Sequence, residues 1–168
     1  DEITGGWLLE IDNYNDPDQI KFVNGSGYTM HITHKSPEIL SEEQESYLRQ
    51  QMKAIDDAVY EDDKNSTTWE KYIDIDALTR YYIIQEIFCN GEAFAGSSYF
   101  HKDRGNDTKW IFGPLWDFGN SFEGGARNFF YEKGKRPRCW ITEIAKYPRF
   151  QEHIRKVWNE FYPTKYEP

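Results

Sequence analysis

Cysteine is scarce in this chain: two residues in 168, Cys89 and Cys139, far apart and with no CxxC pair. That spacing excludes a zinc ribbon or a dithiol redox motif. Two buried free thiols are the expectation, and a single disulfide is the alternative. No apolar run approaches the roughly 18 residues that read as a membrane span. Neither GxxxxGK[ST] nor GxGxxG occurs, so no glycine loop within the chain is built to cradle phosphate. The four histidines, His31, His34, His101 and His153, have no GxSxG-type nucleophile beside them. His31 and His34 fall on opposite faces of a strand, a poor pair for a metal. Basic residues are outnumbered, 20 against 29 acidic, for a formal charge of −9. That deficit argues against nonspecific affinity for nucleic acid or an anionic membrane. It leaves a nucleotide site open, since such a site needs only local cations or a metal. An initiator Met is lacking too, and Gly5-Gly6-Trp7 enters a strand almost at once; a segment of a longer protein is expected.

Aromatic residues are what the chain has in excess: 17%, with 6 Trp, 12 Tyr and 11 Phe. A chain of this length buries about two-thirds of its unfolded surface, enough for one sizeable core. Alternation over Gly5–Asp12 predicts a strand with Trp7, Leu9 and Ile11 inward. A second strand over Tyr28–Thr33 points Tyr28, Met30 and Ile32 inward, and Asn13–Gln19 between them is turn chemistry. Pro37 closes this sheet. Ser41 with Gln44 forms a capping box for a helix whose stripe is Leu48, Met52, Ile55 and Val59. Asp74 caps the next helix, Ile75–Cys89, which is apolar nearly all round and therefore central. Gln85 and Glu86 interrupt it, and a buried Glu86 needs hydrogen-bonding partners. Two strands, Ser98–Lys102 and Lys109–Phe112, form a hairpin. Pro148 separates two C-terminal helices; the second has the stripe Phe150, Ile154, Val157, Trp158 and Phe161. The fold class is α+β: a small antiparallel sheet in residues 1–35, then a mostly helical lobe with a functional hairpin in residues 36–168, all one domain.

The chemistry-bearing order runs from Tyr81 to Phe122. A buried helix ends in Cys89-Asn90-Gly91-Glu92, the hairpin follows, and then Gly113-Pro114-Leu115-Trp116-Asp117-Phe118-Gly119. A carboxylate after a helix, two short strands and a second carboxylate in an Asp-Phe-Gly turn is the order of a protein-kinase-like C-lobe. Phosphoryl transfer needs one carboxylate to accept or orient the hydroxyl proton and another to hold Mg²⁺ against the phosphates. Read from the residues alone, Glu92 and Asp117 are more simply two loop carboxylates that make caps and turns.

The segments Gly5-Gly6-Trp7-Leu8-Leu9-Glu10-Ile11-Asp12, His34-Lys35-Ser36-Pro37-Glu38, Tyr72-Ile73-Asp74 through Glu86, Asn90-Gly91-Glu92, Ser98–Asp103, Gly113–Phe118 and Trp140–Tyr162 lie in an order that resembles the CotH-type (spore coat protein H) kinase family, an atypical branch of kinase-fold proteins. The resemblance implies a kinase-like fold that lacks most of its N-lobe here, ATP and Mg²⁺ as cofactors, and Ser residues of a protein as acceptors, with Ser-rich segments as the partner. It implies a catalytic carboxylate at Glu92, metal ligands at Asp117 and Ser97, and a hinge near the adenine at Glu10 and Asp12. Lys35 matches a family lysine. A surface or secreted location follows only at family level.

Three positions depart from the family pattern. Glu92 stands where the family has Asp, Ser97 where many relatives have Asn, and Gly119 where a second Asp is usual. An added methylene shifts a carboxylate by about one bond length, and a misplacement near 1 Å costs roughly a hundredfold in rate. A Ser hydroxyl and a Gly weaken a Mg²⁺ site. The family's earlier Arg-Gly-Asn-Ser-type element and its nucleotide-binding Lys would lie before residue 1. The departures raise the alternative of a catalytically inactive binding or structural module.

Overall fold

Alternate apolar residues draw Trp7–Ile11 (β1) into the centre of a five-stranded antiparallel sheet, in a computed structural model that describes residues 3–122 and 140–162. The other strands are Ile20–Val23 (β2), Thr29–Ser36 (β3), Ser98–Lys102 (β4) and Ile111–Phe112 (β5), in the order β2-β3-β1-β4-β5. The expected hairpin is therefore not a separate device. β4 pairs along the whole of β1, from Trp7 opposite Lys102 to Ile11 opposite Ser98, and extends the sheet beyond residue 35. Ile20-Lys21-Phe22-Val23 carries a short alternation that the turn chemistry before it obscured. Tyr28, expected inward, is half exposed just before β3, whereas Met30 and Ile32 are buried.

Ser41 Oγ accepts from Gln44 N while Gln44 Oε1 accepts from Ser41 N, closing the capping box of α1, Glu42–Val59. Its stripe Leu48, Met52, Ile55 and Val59 is fully buried. Asp74 Oδ1 accepts from Ala77 N at 2.9 Å and starts α2, Ile75–Ile87. That helix is less enclosed than its composition predicts: Ile87 and the following Phe88 and Cys89 are exposed, because the chain leaves the core there for a surface loop. Cys89 is thus exposed rather than buried, and Cys139 lies outside the described residues. Inside α2 the buried polar residues are Thr79 and Gln85, not Glu86, which is partly exposed.

Two further helices complete the core, the short Trp140–Ile144 (α3) and the longer Pro148–Phe161 (α4), the second with Pro148 in its first turn. Trp140 Nε1 donates to Asp56 Oδ1 at 2.9 Å and ties α3 to α1. The Tyr147 hydroxyl donates to the carbonyls of Ala58 and Val59, at 3.2 and 3.0 Å, and occupies acceptors left open at the end of α1. Of the α4 stripe, Phe150 and Val157 are buried and Ile154 partly so; Trp158 and Phe161 face outward, and His153 takes a buried place instead.

Candidate active site

The loop after α2 carries Glu92, and the turn after β5 carries Asp117. Asp117 is held by its sequence neighbours. Trp116 packs edge-on against Tyr99 of β4, with ring centres 6.3 Å apart, and Phe118 packs against Phe88 at the end of α2, at 5.4 Å. Asp117 is pinned from both sides by aromatic anchors, and its carboxylate remains exposed. Among the described residues one hydrogen bond reaches it, from Gly119 N to Oδ1 at 3.4 Å.

The two loops are joined directly. Asn90, 2% exposed, donates from Nδ2 to the Asp117 carbonyl at 2.9 Å, and its Oδ1 accepts from Glu92 N at 3.2 Å. Asn120, three residues past Asp117, donates from Nδ2 to Glu92 Oε2 at 2.8 Å. Glu92 Oε1 accepts from Asn13 Nδ2 at 3.1 Å and from Ser97 Oγ at 3.4 Å. The backbone is unusual on the same two loops. Cys89, Phe94, Ser97 and Asp117 are the non-glycine residues with positive φ among those described, at 51°, 64°, 47° and 52°. Left-handed conformations cost of order 1–3 kcal/mol each and persist where surrounding contacts over-determine them.

The sheet presents the other predicted residues to the same region. A bulge between Leu8 and Leu9 of β1 and the facing part of β3 re-aims Lys35, whose Nζ pairs with Glu10 Oε2 at 2.7 Å. Burial raises the Glu10 carboxyl above its ordinary value; Lys35 offsets part of this, and the negative charges of Asp12 and Glu92 add to it. Lys35 is raised in turn by its hydrogen bond to Glu10. Asp12 is occupied locally: Oδ1 accepts from Tyr14 N at 2.9 Å and Oδ2 from Thr33 Oγ1 at 2.9 Å. Glu10, Asp12 and Glu92 therefore share one electrostatic neighbourhood, with Lys35 as the cation paired into it.

Of the predicted metal ligands, Asp117 leaves its carboxylate exposed, whereas Ser97 is engaged within the Glu92 loop. Ser97 turns its hydroxyl to Glu92. Among the described residues no three His, Cys, Asp or Glu side chains gather as a metal-holding group. Magnesium is commonly held by one or two carboxylates together with substrate phosphates and water. An exposed Asp117 carboxylate with a single weak contact fits that mode and does not fit a site made of protein ligands alone. Two amides, those of Asn13 and Asn120, escape sequence reasoning as parts of the site, and Asn90 enters it only within the Asn90-Gly91-Glu92 segment, without a role. Asn13 reads as turn chemistry, and nothing in its local sequence signals a partner 79 residues away.

A family model described as CotH kinase protein matches residues 4–166 of the chain. No curated protein and no solved structure matches it significantly.

Proposed function

Since this chain belongs to the CotH kinase family, we propose that it carries the carboxylate pair of an ATP- and Mg²⁺-dependent phosphotransferase acting on protein Ser residues. The observation that supports this best is the joining of the two loops: Asn90 binds the Asp117 backbone while Asn120 binds the Glu92 side chain. A proton-accepting carboxylate and a metal-binding carboxylate have to be held in fixed relation for in-line transfer, because positioning supplies most of the catalysis in phosphoryl transfer.

Glu92 is the group that accepts or orients the hydroxyl proton. A carboxylate offers about four acceptor positions. Asn13 and Ser97 take both positions on Oε1 and Asn120 takes one on Oε2, which leaves a position on Oε2 for an incoming serine hydroxyl. Asp117 would hold Mg²⁺, which when bound neutralises charge on the phosphates. Ser97 lies on the Glu92 side of this pair. Glu10 and Asp12 border the same region from the sheet, with Glu10 set by Lys35.

The test uses the full-length protein. ATP is titrated by calorimetry with and without Mg²⁺, and γ-phosphate transfer to Ser-rich peptides is then assayed. Mg²⁺-dependent binding and transfer, with transfer abolished in Glu92→Gln and binding retained, is expected. Absence of Mg²⁺-dependent ATP binding overturns the proposal. So does binding without transfer that Glu92→Gln leaves unchanged, which identifies an inactive nucleotide-binding module.

A further inference from the structure

Gly96 has no conformational need to be glycine. Its φ lies outside the positive region that favours glycine, unlike Gly6, Gly27, Gly105 and Gly113. What it lacks is space. A Cβ on Gly96 would stand 2.0 Å from Asn13 Nδ2 and 2.5 Å from Asn13 Cγ. The missing side chain is the seat of the Asn13 carboxamide, and from that seat Nδ2 reaches Glu92 Oε1. Asn13 belongs to the turn between β1 and β2, whereas Glu92 and Gly96 belong to the loop after α2. The Gly96 amide in turn donates to the Glu92 carbonyl at 3.0 Å, as does that of Ala95. Seat, carboxamide and carboxylate form one closed unit across two parts of the fold.

We propose that Asn13 is a positioning residue: it latches the β1–β2 turn onto the Glu92 loop and fixes the carboxylate in the place from which it meets the acceptor hydroxyl. The catalytic part rests on the reading of Glu92 given above; the latch itself does not. The latch also accounts for the length of the side chain at position 92. Glu92 reaches Asn13 on one oxygen and Asn120 on the other. An aspartate, one methylene shorter, draws back from both amides. The departure from the family's Asp is thus matched by Asn13 and by the bare Cα of Gly96, and Glu92→Asp alone weakens the site rather than repairing it.

The experiment compares wild type, Asn13→Ala, Gly96→Ala, the double variant and Glu92→Asp in the full-length protein. Two readouts are taken: amide hydrogen exchange at Ala95 and Gly96, and steady-state phosphotransfer. A hydrogen bond to a charged group contributes enough that its loss should speed local exchange roughly tenfold. Asn13→Ala and Gly96→Ala are each expected to give that acceleration, and the double variant no more than either single one. In the kinetics, kcat should fall about tenfold with KM for ATP unchanged, and Glu92→Asp should fall likewise. Unchanged exchange in both single variants overturns the latch, as does strict additivity in the double variant. Accelerated exchange in a protein whose wild type transfers no phosphate upholds the latch and overturns only the catalytic reading of Glu92. Accelerated exchange with wild-type kcat overturns the positioning role.

Discussion

Asn90 binds the carbonyl of Asp117 through its Nδ2 at 2.9 Å and the amide of Glu92 through its Oδ1 at 3.2 Å, so one buried side chain links the two carboxylate-bearing loops. Neither loop belongs to a helix or strand at these points, and regular hydrogen bonding therefore cannot set their spacing. The carboxamide does it, offering one donor and one acceptor in a fixed plane.

Replacing Asn90 should accordingly act on both loops. Asn90→Ala leaves the Asp117 carbonyl and the Glu92 amide without that partner, a loss of about 1–3 kcal/mol for buried polar groups. Denaturant unfolding of the full-length protein should show the midpoint reduced with the slope unchanged. Asn90→Asp keeps the acceptor for Glu92 N but turns a carboxylate toward a carbonyl, and should be the less stable of the two variants. An Asn90→Asp protein as stable as wild type would contradict the bridging role.

Tyr147 predicts an alkaline signature. Its side chain is fully buried, and burial, helped by the charges of Glu61, Glu143 and Asp63, pushes the phenol up to about 12 from 10.0. The unfolded chain loses this proton near 10 while the folded one keeps it. The stabilisation is complete below pH 10 and is lost as pH rises toward 12. Tyr147→Phe should remove that part of the pH dependence, flattening the stability difference between pH 10 and 12. At neutral pH it should cost about 1–3 kcal/mol, because two carbonyls at the end of α1 lose their donor. Thermal melts across this range check both expectations.

Glu143 works at the acid end with the opposite sign. Burial alone would raise its carboxyl, but the hydrogen bonds from Lys146 at 2.5 Å and Lys64 at 2.8 Å outweigh burial and hold it below the ordinary 4.5. A depressed carboxyl contributes stability that is present above pH 4.5 and is lost as pH falls through its folded value. Glu143→Gln should lower the melting temperature at pH 7 and converge on wild type in strong acid. A constant offset across the range would contradict the ion-pair account.

Much of this architecture could be read from the residues because short-range chemistry set it. The Ser41–Gln44 box, the Asp74 cap, the α1 stripe and the Pro148 start each depend on residues within a turn or two. The site was legible only in part. Glu92 and Asp117 were marked by their order along the chain, and the structure brings their loops together through Asn90 and Asn120. The bonds that hold Glu92 depend on sequence separations of 79 and 28 residues, which no local pattern encodes. The exposure of Tyr28, Cys89, Trp158 and Phe161 was misjudged for a related reason. Periodicity identifies a face, but only tertiary packing decides how far the cover over that face extends.

Gly119 offers the most direct test of the proposed metal role of Asp117. A Cβ there would sit 3.4 Å from Asp117 Oδ1, ordinary to close contact, so an aspartate can be introduced with little backbone adjustment. Gly119→Asp places a second carboxylate beside the first. Without a cation the two repel, and the protein should melt at a lower temperature than wild type in chelator. With Mg²⁺ and ATP the added oxygen ligand should tighten nucleotide binding, about tenfold for each 1.4 kcal/mol gained, and the melting order should reverse. Calorimetric titration of ATP, with melts in chelator and in Mg²⁺, separates the two effects. If Gly119→Asp lowers stability equally in both conditions and leaves ATP affinity unchanged, Asp117 does not face the metal-bridged phosphates.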